Sequence, residues 1–314
     1  MTRKVILDTD IGDDIDDAYA LALILASPEL QLVGVTTVFG NVLARARQAK
    51  TILKLARRPD VPVAAGCAAA ISPRLRWPEP DLLSGQSSLE RKAKPALDDI
   101  RPRQDATALP LEQLPPLHAA HGVDFLVDTM MDGDGDIIPV TIGAMTNLAM
   151  ALVKEPRLLR KVPRIVSMAA CFDRLMSEWN IMCDPVAAAI VFNSRIPMTV
   201  IGLDVTTRCV LNQGQLDRLN ASDRPVARNL AAATKAWGSG FPVLHDPLAV
   251  ETLIRGDIVQ TRNGTVTVEL SGDETYGYTT FGPSADGSGP HNIGVAVDSA
   301  NACELWLERV LSIR

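Results

Sequence analysis

The chain has 314 residues, 47% of them hydrophobic and 22% charged, with a formal net charge of -6. That is enough apolar material for one large α/β domain or two smaller ones. The negative balance argues against a nucleic-acid backbone as partner, and no stretch reaches the ~18 apolar residues of a membrane span.

The N-terminus, Met1-Thr2-Arg3-Lys4, runs straight into the apolar strand Val5–Leu7 and lacks the apolar stretch and cleavage site of a signal peptide, so a cytoplasmic protein is expected. The strand is followed by the densest feature of the chain, six aspartates between Asp8 and Asp17. Carboxylates so close repel and raise one another's pKa. They are either solvated acids at the start of a surface helix or ligands of a cation. Their position after an apolar strand and before the apolar helix Asp16–Ala26 favours the cation, because open α/β sheets bind ligands at the C-terminal ends of their strands. The helix N-terminus adds ~0.3–1 kcal/mol of favour for each negative group. The spacing does not fit an EF-hand loop, whose acids alternate and end in a late Glu.

Further strands are expected at Leu32–Val38, Val61–Ala64, Ile137–Ile142, Arg164–Met168 and Met198–Leu203, with helices at Leu43–Ala56, Gly122–Met131, Asn147–Val153, Pro185–Asn193, Arg224–Ala236 and Pro247–Ile254. Apolar strands alternating with helical patterns imply a mainly parallel open sheet flanked by helices, a Rossmann-like α/β fold. Thr265–Leu270 and Asn292–Val297 read as added strands, and Ser299–Leu311 as a closing amphipathic helix. Residues 73–116 are rich in proline and mixed charge, the composition of a lid or insertion within a single domain spanning 1–314. The five cysteines, Cys67, Cys171, Cys183, Cys209 and Cys303, are odd in number and form no CxxC, which fits small buried apolar residues better than disulfides or zinc.

Polar residues recur at the strand ends. Gly40-Asn41 turns the chain after the second strand and can point an amide into the crevice. Thr146 and Asn147 fit helix caps, leaving the carbonyls just before them open to a cation. Glu178 and Asn180, read as an extended segment, face the same way and suit the hydroxyls of a sugar. Trp179 reads as core or as a cavity wall, with core favoured. Asp184 and Asp246, each followed by proline, read as N-caps. Of the four histidines only His245 is joined to an acid at a helix start.

Taken in order, Asp8-Thr-Asp10-Ile-Gly12, Asp16-Asp17-Ala18, Thr37-Val-Phe-Gly-Asn41, Gly143-Ala-Met-Thr-Asn147, Glu178-Trp-Asn180, Asp184-Pro185 and His245-Asp246-Pro247 resemble the nucleoside hydrolase family of the inosine–uridine preferring type, over nearly the whole chain. The resemblance implies that Asp10, Asp17, Asp246 and the backbone carbonyl of Ile142 bind one Ca²⁺, with Asp8 supporting the site from the strand end. It implies that Asp10 is also the general base on a calcium-bound water. Asp16, Asn41, Glu178 and Asn180 would hold the ribose hydroxyls, Met168 would pack near the sugar, and His245 would be the acid near the leaving base. The implied activity is calcium-dependent cleavage of a ribonucleoside to base and ribose, in a homodimer or homotetramer that binds neither nucleic acid nor membrane.

The chain departs from the family pattern in four places. Two extra residues leave Asp13 and Asp14 as spare acids, read as solvated residues at the helix start. The segment Ala169-Ala170-Cys171-Phe172-Asp173-Arg174 is short and lacks the family's sugar-contacting Asn. Ser84-Gly85 is the nearest match to a His-Gly pair in the lid, and Trp179 stands where Phe is common. Two rival readings share the first motif. A non-catalytic calcium or nucleoside binder would keep the sugar contacts without needing a base. A haloacid dehalogenase-type Mg²⁺-dependent phosphatase would use Asp8 as nucleophile, but leaves Glu178-Trp-Asn180 and His245-Asp246-Pro247 without a role.

Overall fold

The computed structural model describes residues 2–72 and 101–313. Its centre is one nine-stranded sheet of order β3-β2-β1-β4-β5-β6-β9-β7-β8. The strands are β1 (Arg3–Thr9), β2 (Leu30–Thr37), β3 (Val63–Ala65), β4 (Ile137–Thr141), β5 (Ile165–Met168), β6 (Met198–Ile201), β7 (Val259–Val268), β8 (Thr279–Pro283) and β9 (His291–Val297). From β3 to β9 all neighbours are parallel, while β7 pairs antiparallel with both β9 and β8.

The helices are α1 (Asp16–Ala26), α2 (Val42–Leu55), α3 (Gly122–Asp132), α4 (Thr146–Lys154), α5 (Leu158–Lys161), α6 (Trp179–Cys183), α7 (Pro185–Asn193), α8 (Leu203–Thr206), α9 (Gln213–Asn220), α10 (Pro225–Trp237), α11 (His245–Glu251) and α12 (Ser299–Ser312). They cover both faces of the sheet. Successive side chains of a strand point to opposite faces, and β1 shows it: Val5 and Leu7 pack with α1, α2, α11 and α12, whereas Ile6 packs with α3, α4 and α7. Burial on both faces is why these strands read as continuous apolar runs rather than alternating ones.

The expected parallel α/β sheet is therefore present, with differences that have local causes. The strand β8, TTFGP, ends in Gly-Pro and reads as a turn in sequence. Helices α5, α6 and α8 have four or five residues, too few for a periodic pattern. Of the proline-rich segment, residues 101–116 form two 3₁₀ turns at Asp105–Thr107 and Leu111–Gln113, and its remainder, including Ser84-Gly85, lies outside the described residues. Among the described residues no helix is long and apolar enough to cross a membrane.

This topology prepares the site. After β3 the chain returns to the other side of β1, so β1 and β4 flank the point where strand order reverses, the place where such sheets leave a crevice. The C-terminal ends of β1, β4 and β5 lie side by side there, Asp8 opposite Thr141 and Thr141 opposite Ser167.

Candidate active site

The turn from β1 into α1 carries the acids, and backbone geometry sets their directions. Gly12 has φ +125°, and a Cβ there would stand 2.7 Å from the Pro102 Cβ, so only glycine fits. The Thr9 hydroxyl donates to Asp17 and accepts from the Ile11 N–H at 3.1 Å. Asp14 accepts from the Ile15 N–H at 2.6 Å. Asp13 pairs with the buried Arg45 guanidinium at 2.8 Å. Asp13 and Asp14 both line the cavity described below; Asp13 is half-exposed and Asp14 exposed, so they keep contact with solvent as expected while their bonds tie them into the turn before α1. Residues 102–104 back the turn from outside: the Gln104 N–H donates to the Gly12 carbonyl at 2.9 Å and its side chain to the Asp14 carbonyl at 2.6 Å. This part of the proline-rich segment is thus a brace packed against the acids.

Asp16 and Asp17, the first two residues of α1, meet Asp246 from the first turn of α11. All three are buried, with carboxylate oxygens within 4.8 Å of one another. The Asp246 N–H also donates to Asp16 at 3.1 Å, across 230 residues of sequence. Asp246 is therefore a cluster member and not an N-cap; Leu244 holds the cap position of α11. Burial, then repulsion among the acids, raises the carboxyls of Asp16, Asp17 and Asp246 well above the usual range. Asp10, 8% exposed, is pushed up to about 6 by burial, against the pull of Arg45. Buried oxygens of like charge gathered from two helix N-termini form a donor set suited to a hard divalent cation.

Asp8 sits behind this cluster. Its Oδ1 accepts from the Thr36 hydroxyl at 2.7 Å and from the Asn147 amide at 2.8 Å, its Oδ2 has no hydrogen-bond partner among the described residues, and burial pushes it up to about 7. It does not line the cavity, which removes the phosphatase reading's nucleophile. Asn147, expected to cap α4, instead ties β1, β2 and the turn after β3 together, bonding Asp8, the Thr37 carbonyl and the Cys67 N–H.

Opposite the acids stand Ile142, Met168, Glu178 and Asn180. Glu178 is not in an extended segment but is the N-cap of α6. Its oxygens accept from the backbone N–H groups of Asn180 at 2.8 Å, Ile181 at 3.2 Å and Ala170 at 3.2 Å. Burial nonetheless pushes it up to about 7. The Asn180 amide donates to the carbonyls of Ile142 at 3.0 Å and Met168 at 3.1 Å, joining the ends of β4 and β5. Asp184 caps α7 as expected, accepting from the Ala187 N–H at 3.1 Å.

These residues enclose a cavity of about 400 Å³. Trp179 lines it at 38% exposure, so it is a wall and not core, and Trp237, Met176, Leu203 and Arg103 complete the outer part. His245 lines it too, its Nδ1 2.8 Å from the Thr206 hydroxyl. Burial pushes this imidazole down to about 4, so it is neutral where an unperturbed histidine would be titrating. Asn41 is not among the lining residues: the chain turns through Phe39 and Gly40, both with positive φ, and the Asn41 oxygen caps α2 by accepting from the Ala44 N–H at 3.0 Å. The sequence carries no signal for Arg45, Arg103 and Trp237, and it offers Asn147 only as a cap. Each lies on a helix or loop with unremarkable local composition, and only tertiary contacts single it out.

Comparison with known proteins finds matches over nearly the whole chain. A family model described as inosine-uridine preferring nucleoside hydrolase matches residues 5–306. A pyrimidine-specific ribonucleoside hydrolase, RihA of Enterobacter sp. (strain 638), is 33% identical over 99% of this chain and 98% of its own length. An uncharacterized protein of Schizosaccharomyces pombe is 34% identical over 98% of each chain. Among solved structures, a purine-preferring ribonucleoside hydrolase from Gardnerella vaginalis superposes with a TM-score of 0.81 at 27% identity, covering 99% of both chains.

Proposed function

The chain belongs to the inosine-uridine preferring nucleoside hydrolase family, and from that premise we propose that its cavity hydrolyses the N-glycosidic bond of a ribonucleoside with one calcium ion held by Asp10, Asp17, Asp246 and the Ile142 carbonyl. Family membership makes it a hydrolase acting on N-glycosyl compounds. The observation that carries the calcium reading is the convergence of Asp16, Asp17 and Asp246 beside Asp10 in one buried cluster. Four acids of like charge in so small a space are stable when a cation or bound protons neutralise them. All of the expected ligands are oxygens, the preference of calcium, and no cysteine or histidine competes among them.

Bound there, the cation supplies positive charge and a common anchor for water and hydroxyl oxygens. The residues do the rest. Asp10 accepts the proton of the attacking water as a C1′–O bond forms and the C1′–N bond breaks. Asp16, Glu178 and Asn180 hold ribose hydroxyls, with Met168 against the sugar. The carboxylates stabilise the positive charge that grows on the ribose, as in other glycosyl transfers with oxocarbenium-like transition states. His245 faces the leaving base. When the Thr206 hydroxyl donates to its Nδ1, the Nε2 carries the proton and donates as a neutral imidazole. Trp179 and Trp237 supply flat apolar surface for the base. The named relatives divide over the base, one pyrimidine-specific and one purine-preferring.

The test is release of reducing sugar from inosine, adenosine, uridine and cytidine, with calcium and with chelator. Ribose from at least one nucleoside, lost on chelation and restored by calcium, is expected. A folded, calcium-supplied enzyme that frees ribose from none of them overturns the reading.

A further inference from the structure

We propose that Arg45 is a positioning residue whose buried guanidinium holds the Asp10–Asp13 main chain in the shape that lets Asp10 and Asp17 share one cation. This deepens the calcium reading above and rests on it. Arg45 lies in the first turns of α2 and is 5% exposed. Its Nε donates to the Phe39 carbonyl at 2.6 Å, Nη1 to the carbonyls of Asp10 and Ile11 (the latter at 3.2 Å), and Nη2 to the Asp13 carboxylate at 2.8 Å. One planar fork thus spans two connections, the turn after β1 and the turn after β2. Phe39, whose carbonyl it takes, sits at φ +64°, a left-handed conformation that a bulky residue adopts only when its surroundings hold it there.

The arrangement explains one of the two spare acids of the turn, Asp13. A buried guanidinium without a counter-charge costs several kcal/mol, and Asp13 provides that charge from the half-exposed end. The Asp10 backbone, gripped through its carbonyl, presents its side chain to the other side, toward the cavity. A lysine keeps the charge but has neither the fork nor the planar donors to reach three carbonyls and a carboxylate together. The brace on the outer side, Gln104 against Gly12 and Asp14, cannot replace it, since it touches neither Asp10 nor Ile11.

The experiment uses Arg45→Met, Arg45→Lys and Asp13→Asn in the full chain, with circular dichroism to check folding. Calcium binding to metal-free protein is measured by calorimetry without nucleoside. Groups that orient metal ligands typically cost 10–100-fold in affinity when removed, and a loss of about that size is expected for Arg45→Met. Arg45→Lys falls between Met and wild type, and Asp13→Asn, which keeps the main-chain bonds, costs least. Should Arg45→Met fail to fold, Arg45→Lys carries the test alone. A folded Arg45 variant with wild-type calcium affinity overturns the proposal. Amide hydrogen exchange at residues 11–13 of metal-free protein reads the clamp without calcium: it quickens in both Arg45 variants, and unchanged exchange overturns the clamp. A wild type that binds no calcium while its variants exchange faster sinks the calcium reading and leaves the clamp standing.

Discussion

The connections leaving β1 and β5 have the same task and opposite construction. Each carries the chain from the end of a parallel strand to a helix start that bears site residues. The first, residues 10–15, is gripped by Arg45 on one side and by Pro102 and Gln104 on the other, and the side chains of Thr9, at the end of β1, and of Asp14 bond its amides. The second, residues 169–178, is fastened mainly at its buried beginning, where Cys171 exchanges bonds with Thr279 and the Phe172 N–H donates to Asp204. Its middle, residues 173–176, is exposed, with Leu175 at 90%, before the Ser177 hydroxyl donates to the Gly277 carbonyl at 2.8 Å and the buried Glu178 ends it. The difference teaches that the clustered acids sit on the more tightly held connection, while the opposite wall of the cavity is set by one capped helix, α6, behind a looser approach.

The strongest way to break this contrast is to remove the proposed base, Asp10. Asp10→Asn keeps the volume and the main-chain bonds to Arg45, and a general base typically contributes ~10²–10⁴-fold. A fall of kcat in that range, with nucleoside binding retained, is expected from a reducing-sugar assay beside equilibrium binding. A near-normal kcat removes Asp10 from the chemistry.

Next in size is the response of the metal-free protein to pH. Asp8 and Glu178 are pushed up to about 7, Asp10 to about 6, and Asp16, Asp17 and Asp246 are raised well above the usual carboxylate range by burial and mutual repulsion. The folded state therefore holds protons more tightly than the unfolded chain, whose carboxyls titrate near about 4. The stability these groups contribute is complete below that value and is lost as pH rises through about 6 to 7. His245, pushed down to about 4, acts the other way: its contribution is lost as pH falls from the unfolded value of about 6.5, but it is one group against six. Thermal melts of chelated protein should thus weaken from mildly acid to neutral pH, and calcium should cancel the loss. A chelated protein that becomes steadily more stable up to pH about 8 contradicts the burial of these acids.

The same contrast explains what was legible in the sequence. The acid turn announces itself because its chemistry is local: Asp8, Asp10, Asp16 and Asp17 lie within ten residues, between an apolar strand and an apolar helix. Asp246 and His245 were found through their family motif, but the cap reading of Asp246 failed, because proline at the third position of α11 does not mark its first residue. Glu178 and Asn180 were identified while their conformation was misread. The helix they begin has five residues, and it is held by caps to Ala170 and by the carbonyls of Ile142 and Met168, contacts that a local pattern does not carry. Arg45 was invisible for a related reason. An arginine in a polar helix reads as a solvated residue, and only the fold carries it under the acids. The parallel half of the sheet was legible from its apolar runs, whereas β8 was hidden by its Thr and Gly-Pro content.

A backbone substitution in the rigid connection gives the third effect. Gly12→Ala places a Cβ against Pro102 at a φ of +125° that side chains rarely adopt. Strain of this kind costs ~1–3 kcal/mol, to be read from urea unfolding of metal-free protein, and calcium affinity should fall with it because the acids move together. A neutral Gly12→Ala shows the turn to be more pliable than its bonds imply.

The matching change in the other connection should be the smallest of the four. Ala170 is buried with φ +78°, a left-handed conformation costing ~1–2 kcal/mol in an L-residue. Ala170→Gly removes that cost. It also deletes a buried methyl, worth ~0.8 kcal/mol, and frees the unfolded chain by ~0.4–1 kcal/mol. The Ala170 N–H still donates to Glu178 and its carbonyl still accepts from Leu203, since neither bond uses the side chain. These contributions nearly cancel, and urea midpoints for Ala170→Gly should lie close to wild type with kcat/KM unchanged. A destabilisation larger than that of Gly12→Ala reverses the comparison: the methyl would then be a packing element, and the approach to α6 would be held as firmly as the acid turn.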